Sequence, residues 1–432
     1  MLEKKEVLFP FSQIKAGNGG IASAIELAIA LTKLNYNVSI IIYGYKFWGP
    51  MVPKRLIEKL SKSNIKIVKS PGFRTYLTDK NKSNAAFSSI DNGSFLSIQK
   101  FKSSLKKCIS KCFYRANRKN FLSLSTFNII YFSEPLFGTE LDCIRKNSNA
   151  VLIQNHAGSP ENVEKNVLNN NYLPIHSNPA LSLYVNFCLS FDHILFQASD
   201  QALDCKRQHI LLEEKVKTLL PTCNENDINA VQLLENPFDK DKKNIINVGS
   251  IQPRKDQLSS ILAFEKIDEI SNVQLHFVGD YSINKEYYQM LKRTIKSKGL
   301  ESKIFFYGHR DDYLLFMNNA DVLIQTSHSE GVSRVLREAM FMKLPIVSFA
   351  ISGTTGILKK DNEAVLVEDR NITKLGVELE SIIFNKEKHE FISSNAFKKY
   401  LMNHSSKAYS HNLSLLFKDI LKNKKEFDES IS

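Results

Sequence analysis

Residues 326–355 read TSHSEGVSRVLREAMFMKLPIVSFAISGTT. An apolar strand is predicted immediately before them, at residues 321–325. Glu330 and Gly331 fall in the turn, a helix is predicted from Val332 to residue 341, and a further strand over residues 345–349. The same alternation extends to both sides. Upstream, strands are predicted at residues 244–248, 273–278 and 303–307. Helices are predicted at 257–269, from the end of the second of those strands to 297, and at 311–318. Downstream, one more strand is predicted at 364–367. Strands alternating with helices imply a parallel sheet with helices on both faces.

The first half repeats the pattern less regularly. A buried strand is predicted at residues 6–11, then a glycine loop (Gly17, Gly19, Gly20). A helix is predicted over residues 21–34, with Ile21, Ile25, Ala28, Ile29 and Thr32 at helical spacing, followed by a strand at 38–43. Short strands are predicted at 127–132, 150–154 and 193–197. The polar, charged stretch 223–243 sets the expected boundary, giving one domain at 1–235, a second at 236–405, and a terminal helical segment at 406–432 that returns to the first. The fold class expected is α/β, with two Rossmann-like doubly wound domains facing each other across a cleft. Ligands of such sheets bind beyond the carboxyl ends of the strands.

With 43% hydrophobic and 24% charged residues, the composition is that of a globular protein with a substantial core. The six cysteines form no C-x-x-C pair and have no histidine at ligand spacing, so no zinc site is expected. The N-terminus is charged and too interrupted for a signal peptide, and no segment approaches the ~18 apolar residues of a membrane span. A cytoplasmic protein is expected, peripheral at the inner face of the membrane if it meets a membrane at all. The net charge of +13 fits nucleic acid, an anionic membrane surface, an anionic substrate or a lysine-rich coding bias, and composition alone does not separate them.

The chemistry concentrates at strand ends. Glu330 and Glu338 are eight positions apart, just over two helical turns, so both lie on roughly one face. Two carboxylates there can bind sugar and ribose hydroxyls, and the amides of Gly331, Val332 and Ser333 at a helix start suit phosphate oxygens. The competing reading makes Glu330 a helix N-terminal charge and Glu338 a solvated face. Residues 247–257 read NVGSIQPRKDQ and place Arg254 and Lys255 just after a strand, where cations stabilise the charge of a departing diphosphate. A solvated basic turn is the alternative.

The order S-x-x-E-G, seven residues between the two glutamates, E-A-M and then L-P-I-V-S resembles the E-x7-E signature of the family 4 glycosyltransferases, which have the GT-B fold. The resemblance implies that Glu330 contacts donor-sugar hydroxyls and that Glu338 accepts hydrogen bonds from the ribose. It also implies that the loop Ser352, Gly353, Thr354 and Thr355 lies near the diphosphate. Val332 stands where an aromatic residue is usual. The family's basic loop commonly reads G-R-L followed by K-G. Here Ser250 replaces the arginine, Lys255 keeps the lysine, and the P-R-K form is similar to a variant of that loop.

Residues 17–22, GNGGIA, nominally match a dinucleotide fingerprint. NAD is rejected because the next strand ends in Tyr43–Gly44–Tyr45 with no acidic residue. Gly19 and Gly20 instead resemble the family's N-terminal G-G loop, whose amides face the diphosphate; a plain tight turn is the alternative. His156, after an apolar strand, resembles the family's strand–His–Gly element on the transferred sugar, and His309 stands where the family contacts the base.

The activity implied is retaining sugar transfer from a nucleotide-diphosphate sugar to a glycan or lipid-linked acceptor, in cell-envelope polysaccharide or lipopolysaccharide assembly. No cofactor, no metal and no nucleic-acid partner are expected. Asp239–Lys240–Asp241 fits the D-x-D string of metal-dependent transferases, but it precedes a strand rather than following one. An epimerase of the same fold and a non-catalytic sugar- or nucleotide-binding homologue are the alternatives. Residues 98–121 read as a basic amphipathic helix that either meets an anionic membrane surface or packs within the domain with a solvated basic face.

Overall fold

The computed structural model describes residues 4–11, 19–42, 60, 62–69, 124–133, 144–145, 148–156, 181–223, 225–267, 272–368 and 370–431. The basic segment 98–121 lies outside them. The chain divides into two compact units, the first comprising Met1–Phe196, Ala202–Leu219 and Leu413–Ser432, the second Gln197–Gln201 and Leu220–Asn412.

The first unit carries a seven-stranded sheet: β1 (Glu6–Phe11), β2 (Asn37–Ile42), β3 (Lys66–Lys69), β4 (Ile129–Phe132), β5 (Val151–His156), β6 (His193–Phe196) and β7 (Val216–Thr218). Its spatial order is β3-β2-β1-β4-β5-β6-β7, every pair parallel. Strands such as β4 and β5 are buried along their whole length, as expected where helices cover both faces. The helix after β1 spans Gly19–Lys33, so Gly19 and Gly20 open the helix rather than form the loop before it.

The second unit carries a six-stranded sheet: β8 (Lys243–Val248), β9 (Val273–Val278), β10 (Ile304–Phe306), β11 (Val322–Gln325), β12 (Ile346–Phe349) and β13 (Val365–Val367). The order is β10-β9-β8-β11-β12-β13, again all parallel. Chain order reverses between β8 and β11, so this sheet has its topological switch point there, where doubly wound sheets bind ligands at the strand carboxyl ends.

Several helices of this unit start on side-chain caps. Asp256 accepts the amide of Ser259 for helix Gln257–Phe264, and Asn284 accepts that of Tyr287 for helix Lys285–Ser297. Asn371 accepts the amide of Lys374 for helix Ile372–Phe384. One face of the sheet packs Phe264, Leu275, Phe277, Leu291, Ile295, Leu375 and Leu379 into a continuous core. On the other, Ile246, Leu323, Met340, Ile346 and Tyr400 come together with Ile228 and Val231. Those last two residues belong to the helix Glu225–Val231, which moves the start of the second unit to Leu220 from the boundary of 235 expected from polarity. That helix is too short and too polar in sequence to announce itself; burial of Ile228 and Val231 is what assigns it. The terminal helix Ser406–Ile431 crosses from the second unit to the first at Leu413. Among the described residues, no helix is long and apolar enough to cross a membrane.

Candidate active site at the switch point of the second sheet

The loops leaving β8 and β11 meet because the two strands are neighbours (Val322 pairs with Ile245 and Leu323 with Ile246). After β8, Gly249 and Gly279 bring two backbones into contact: a Cβ on Gly279 would lie 1.9 Å from the Gly249 carbonyl oxygen. The chain then makes a single 3-10 turn, Pro253–Lys255, which aims two cations at the β11 loop. The Lys255 Nζ donates to Glu330 Oε1 at 2.5 Å, and Ser327 Oγ donates to the same oxygen at 2.6 Å. Arg254 Nη1 lies 3.5 Å from Glu330 Oε2 and donates to the carbonyl of Ser329 at 2.7 Å. The backbones are also tied, since the amide of His328 donates to the carbonyl of Arg254 at 2.9 Å.

Glu330 has only 9% of its side chain exposed. Burial pushes its carboxyl up, but the charge and hydrogen bond of Lys255, the Ser327 hydroxyl and the charge of Arg254 outweigh burial and hold it below the ordinary 4.5. A depressed carboxyl stabilises the fold fully above its unfolded value, and that stability is lost as pH falls through the folded value. The melting temperature of Glu330→Gln is therefore expected to lie below that of the parent at pH 7, with the gap closing below pH 4.5. A gap independent of pH would contradict the pairing.

Glu338 is 1% exposed on helix Arg334–Met342. Its Oε1 accepts from Tyr313 Oη at 2.6 Å and Arg334 Nε at 2.8 Å. Its Oε2 is buried and has no hydrogen-bond partner among the described residues. Burial raises this carboxyl against the opposing pull of Arg334 and Tyr313. The reading of Glu338 as a solvated face is thereby overturned, whereas Glu330 is a paired, mostly buried carboxylate rather than a free helix-end charge.

The helix begins at Arg334, two residues later than the sequence suggests. Ser333 occupies its N-cap position but makes no capping bond, because its hydroxyl donates to Gln325 Oε1 at 3.1 Å. Gly331 and Val332 are in the connecting loop, and Val332 packs partly against the core. Ser352–Thr355 forms one helical turn. Thr354 is fully buried and its hydroxyl donates to the carbonyl of Phe349 at 3.1 Å, so its side chain holds the turn instead of facing a ligand. His309 follows β10, is 60% exposed at its side chain and lies 3.4 Å from Asp311.

In the first unit, His156 is the last residue of β5 rather than part of the loop beyond it. It is 2% exposed and sits against Phe196 and Tyr184, with ring centroids 4.9 and 5.6 Å away. Burial lowers its pKa to about 3. Burial favours the neutral imidazole, and neither nitrogen has a hydrogen-bond partner among the described residues.

Ser327, Tyr313 and Arg334 were absent from the sequence-based site. Arg334 was findable, being four residues before Glu338 on one helix face, and Ser327 stands three before Glu330. Tyr313 comes from a helix 25 residues upstream and gave no local signal.

Residues 232–399 match the family model described as Glycosyl transferases group 1. Over 168 residues the chain is 26% identical to a poly(glycerol-phosphate) alpha-glucosyltransferase of Bacillus subtilis, covering 38% of this chain and 24% of that one. Over 259 residues it is 21% identical to the capsular polysaccharide biosynthesis glycosyltransferase CapM of Staphylococcus aureus, covering 53% and 66%. The chain spans less than half the length of the first two curated relatives it matches. The structure of HepE from Anabaena, in complex with UDP and glucose, superposes with a TM-score of 0.66 at 16% identity over 96% of this chain and 100% of that one. WaaG, a glycosyltransferase involved in lipopolysaccharide biosynthesis, gives 0.60 at 15% identity over 95% and 98%. The fold is accordingly GT-B.

Proposed function

We propose that the chain transfers a sugar from a nucleotide-diphosphate sugar to a glycan or lipid-linked acceptor, because residues 232–399 match the model of the group 1 glycosyl transferases and the chain has the GT-B fold. The observation that carries this reading is the Lys255–Glu330 pair at the switch point, with Glu338 Oε2, which has no partner among the described residues, on the helix that follows. Lys255 and Arg254 supply positive charge for a departing diphosphate, and the first turn of helix Arg334–Met342 offers amides without a side-chain cap. In this reading the cations carry the role that a metal plays in other transferases. Glu330, hydrogen-bonded on Oε1 and near Arg254 on Oε2, is aimed by its neighbours at a sugar hydroxyl. Glu338 Oε2 is the acceptor for the ribose.

HepE holds UDP and glucose and CapM belongs to capsular polysaccharide biosynthesis, which supports a nucleotide-sugar donor and a cell-surface polymer acceptor here. The acceptor is assigned to the first unit, while Gly19 and Gly20 are proposed contacts of the diphosphate and His156 of the transferred sugar. Retention of anomeric configuration, independence from metal, cytoplasmic location and association with the membrane surface belong to the same proposal.

Glu338→Gln keeps the size of the side chain but loses its charge and one acceptor. It is expected to weaken nucleoside diphosphate binding about tenfold, as loss of a hydrogen bond to a charged group does. Turnover of a nucleotide-sugar panel in the presence of a chelator tests the activity. Transfer with retained configuration supports the reading. Release of an epimerised or free sugar irrespective of acceptor favours an epimerase or hydrolase, and chelator-sensitive transfer removes the metal-independent part.

A further inference from the structure

The residue after Lys255 is Asp256, and its backbone adopts φ +48°, a region that favours glycine. Arg370, in the loop after β13, also stands at positive φ, +50°. The two side chains are paired, Arg370 Nη2 donating to Asp256 Oδ2. The same guanidinium donates to the carbonyls of Thr326 and Ser327, both at 3.2 Å, and lies over the ring of Phe349 with its Cζ 4.4 Å from the centroid. One arginine thus ties together the loops that leave β8, β11 and β13.

Asp256 is committed from its other atoms as well. Its carboxylate accepts the Ser259 hydroxyl at 2.6 Å and the Ser259 amide at 3.3 Å, and its carbonyl accepts the Thr326 hydroxyl at 2.7 Å. Ser327 donates to Glu330, and Lys255 is the immediate neighbour of Asp256. The bonded path Lys255–Asp256–Arg370–Ser327–Glu330 therefore closes a ring around the Lys255–Glu330 contact. A glycine after Lys255 would adopt the same turn without strain, but it could neither cap helix Gln257–Phe264 nor hold Arg370.

We propose that Arg370 and Asp256 are positioning residues that hold Lys255 and Glu330 in register across the β8 and β11 loops. The inference rests on the transferase reading for its consequence in catalysis, but its structural part stands apart from that reading. Neither residue touches the proposed donor. Their effect is to keep two charged side chains from different strands within hydrogen-bonding distance before any ligand binds.

The test uses the full chain and four variants: Arg370→Ala, Arg370→Lys, Asp256→Gly and the double variant Asp256→Gly with Arg370→Ala. Hydrogen exchange is read first, without ligand, at the amides of Ser259 and His328. Arg370→Ala is expected to speed exchange at both amides by about tenfold while other segments keep their rates. Asp256→Gly, whose backbone needs no strain but which loses the cap on Ser259 directly, is expected to speed exchange at His328, and adding Arg370→Ala to it is expected to change that amide less than Arg370→Ala does alone, because the Asp256–Arg370 contact is already gone.

In turnover, kcat is expected to fall about tenfold or more with KM within about threefold, since ground-state contacts remain. Arg370→Lys is expected to be intermediate, because an ammonium restores the charge but not the fork. Unchanged exchange in both single variants, or additive effects in the double variant, would overturn the proposal. Faster exchange together with kcat equal to the parent would overturn its catalytic part. A parent protein that turns over no donor, yet shows the exchange pattern, would count against the transferase reading and leave the register-holding role in place.

Discussion

Lys255→Ala is expected to lower kcat/KM for the donor by about 10²–10³-fold, the range seen when one preorganised charge or donor is removed from a developing anion. The Lys255 side chain is 17% exposed and its Nζ is 2.5 Å from Glu330, so its charge is screened little and its position is fixed. Removing it has a second effect. Glu330 keeps its burial and loses the cation that contributes most to holding its carboxyl down, so that carboxyl is expected to rise towards or above its ordinary value. Loss of leaving-group stabilisation should appear in kcat, and the altered Glu330 should add a steeper fall of activity on the acid side. Lys255→Arg is expected to retain more activity than alanine. Steady-state turnover across pH, on variants whose melting temperatures are recorded in parallel, checks both. Activity within threefold of the parent for Lys255→Ala would remove this residue from the leaving-group role.

Gly353→Ala is the second large effect. A Cβ at that position would fall 2.3 Å from the carbonyl oxygen of Gly331 and 2.4 Å from that of Glu330. Both atoms are backbone, so no side-chain rotation relieves the clash, and the loop carrying Glu330 or the turn Ser352–Thr355 must move. Overpacking of this kind costs about 1–3 kcal/mol. The displacement falls on the residue that Lys255, Ser327 and Arg254 together aim, so donor turnover is expected to fall further than stability does, by about 10²-fold for a misplacement of about 1 Å. Denaturant unfolding and turnover measured on one preparation check the two parts. A variant of parental stability and activity would show that the loops are not held as closely as the backbone contact implies.

The second unit was legible in sequence because its strands are buried on both faces and read as short apolar runs between helices. The pairing of β8 with β11 had no sequence signal and appears only in the folded sheet. Helix Lys386–Asn403 was not legible. It is polar along its length and buries little beyond Ile392, Ser393, Ala396 and Tyr400, so apolar periodicity does not mark it. Strand β3 is likewise a four-residue segment with lysine at both ends. For the site, Glu330, Glu338, Arg254 and Lys255 were found through their spacing and the family they resemble. The 75-residue separation between Lys255 and Glu330 is bridged only by the sheet. Arg370 and Tyr313 carry no local signal, since their roles come from loops and helices that meet in three dimensions. His156 and Thr354 were chosen for position along the chain, which gives no sign that both side chains are buried.

The second unit is proposed to bind a nucleoside diphosphate through Lys255, Arg254 and Glu338. Calorimetric titration of the chain with UDP, GDP, ADP and dTDP, with a chelator present and Glu338→Ala as the control, tests it most directly. The account predicts saturable one-site binding of one nucleotide above the others, lost or weakened at least about tenfold in the variant. A folded protein that binds none of the four, or binds one equally well without the Glu338 carboxylate, would contradict it.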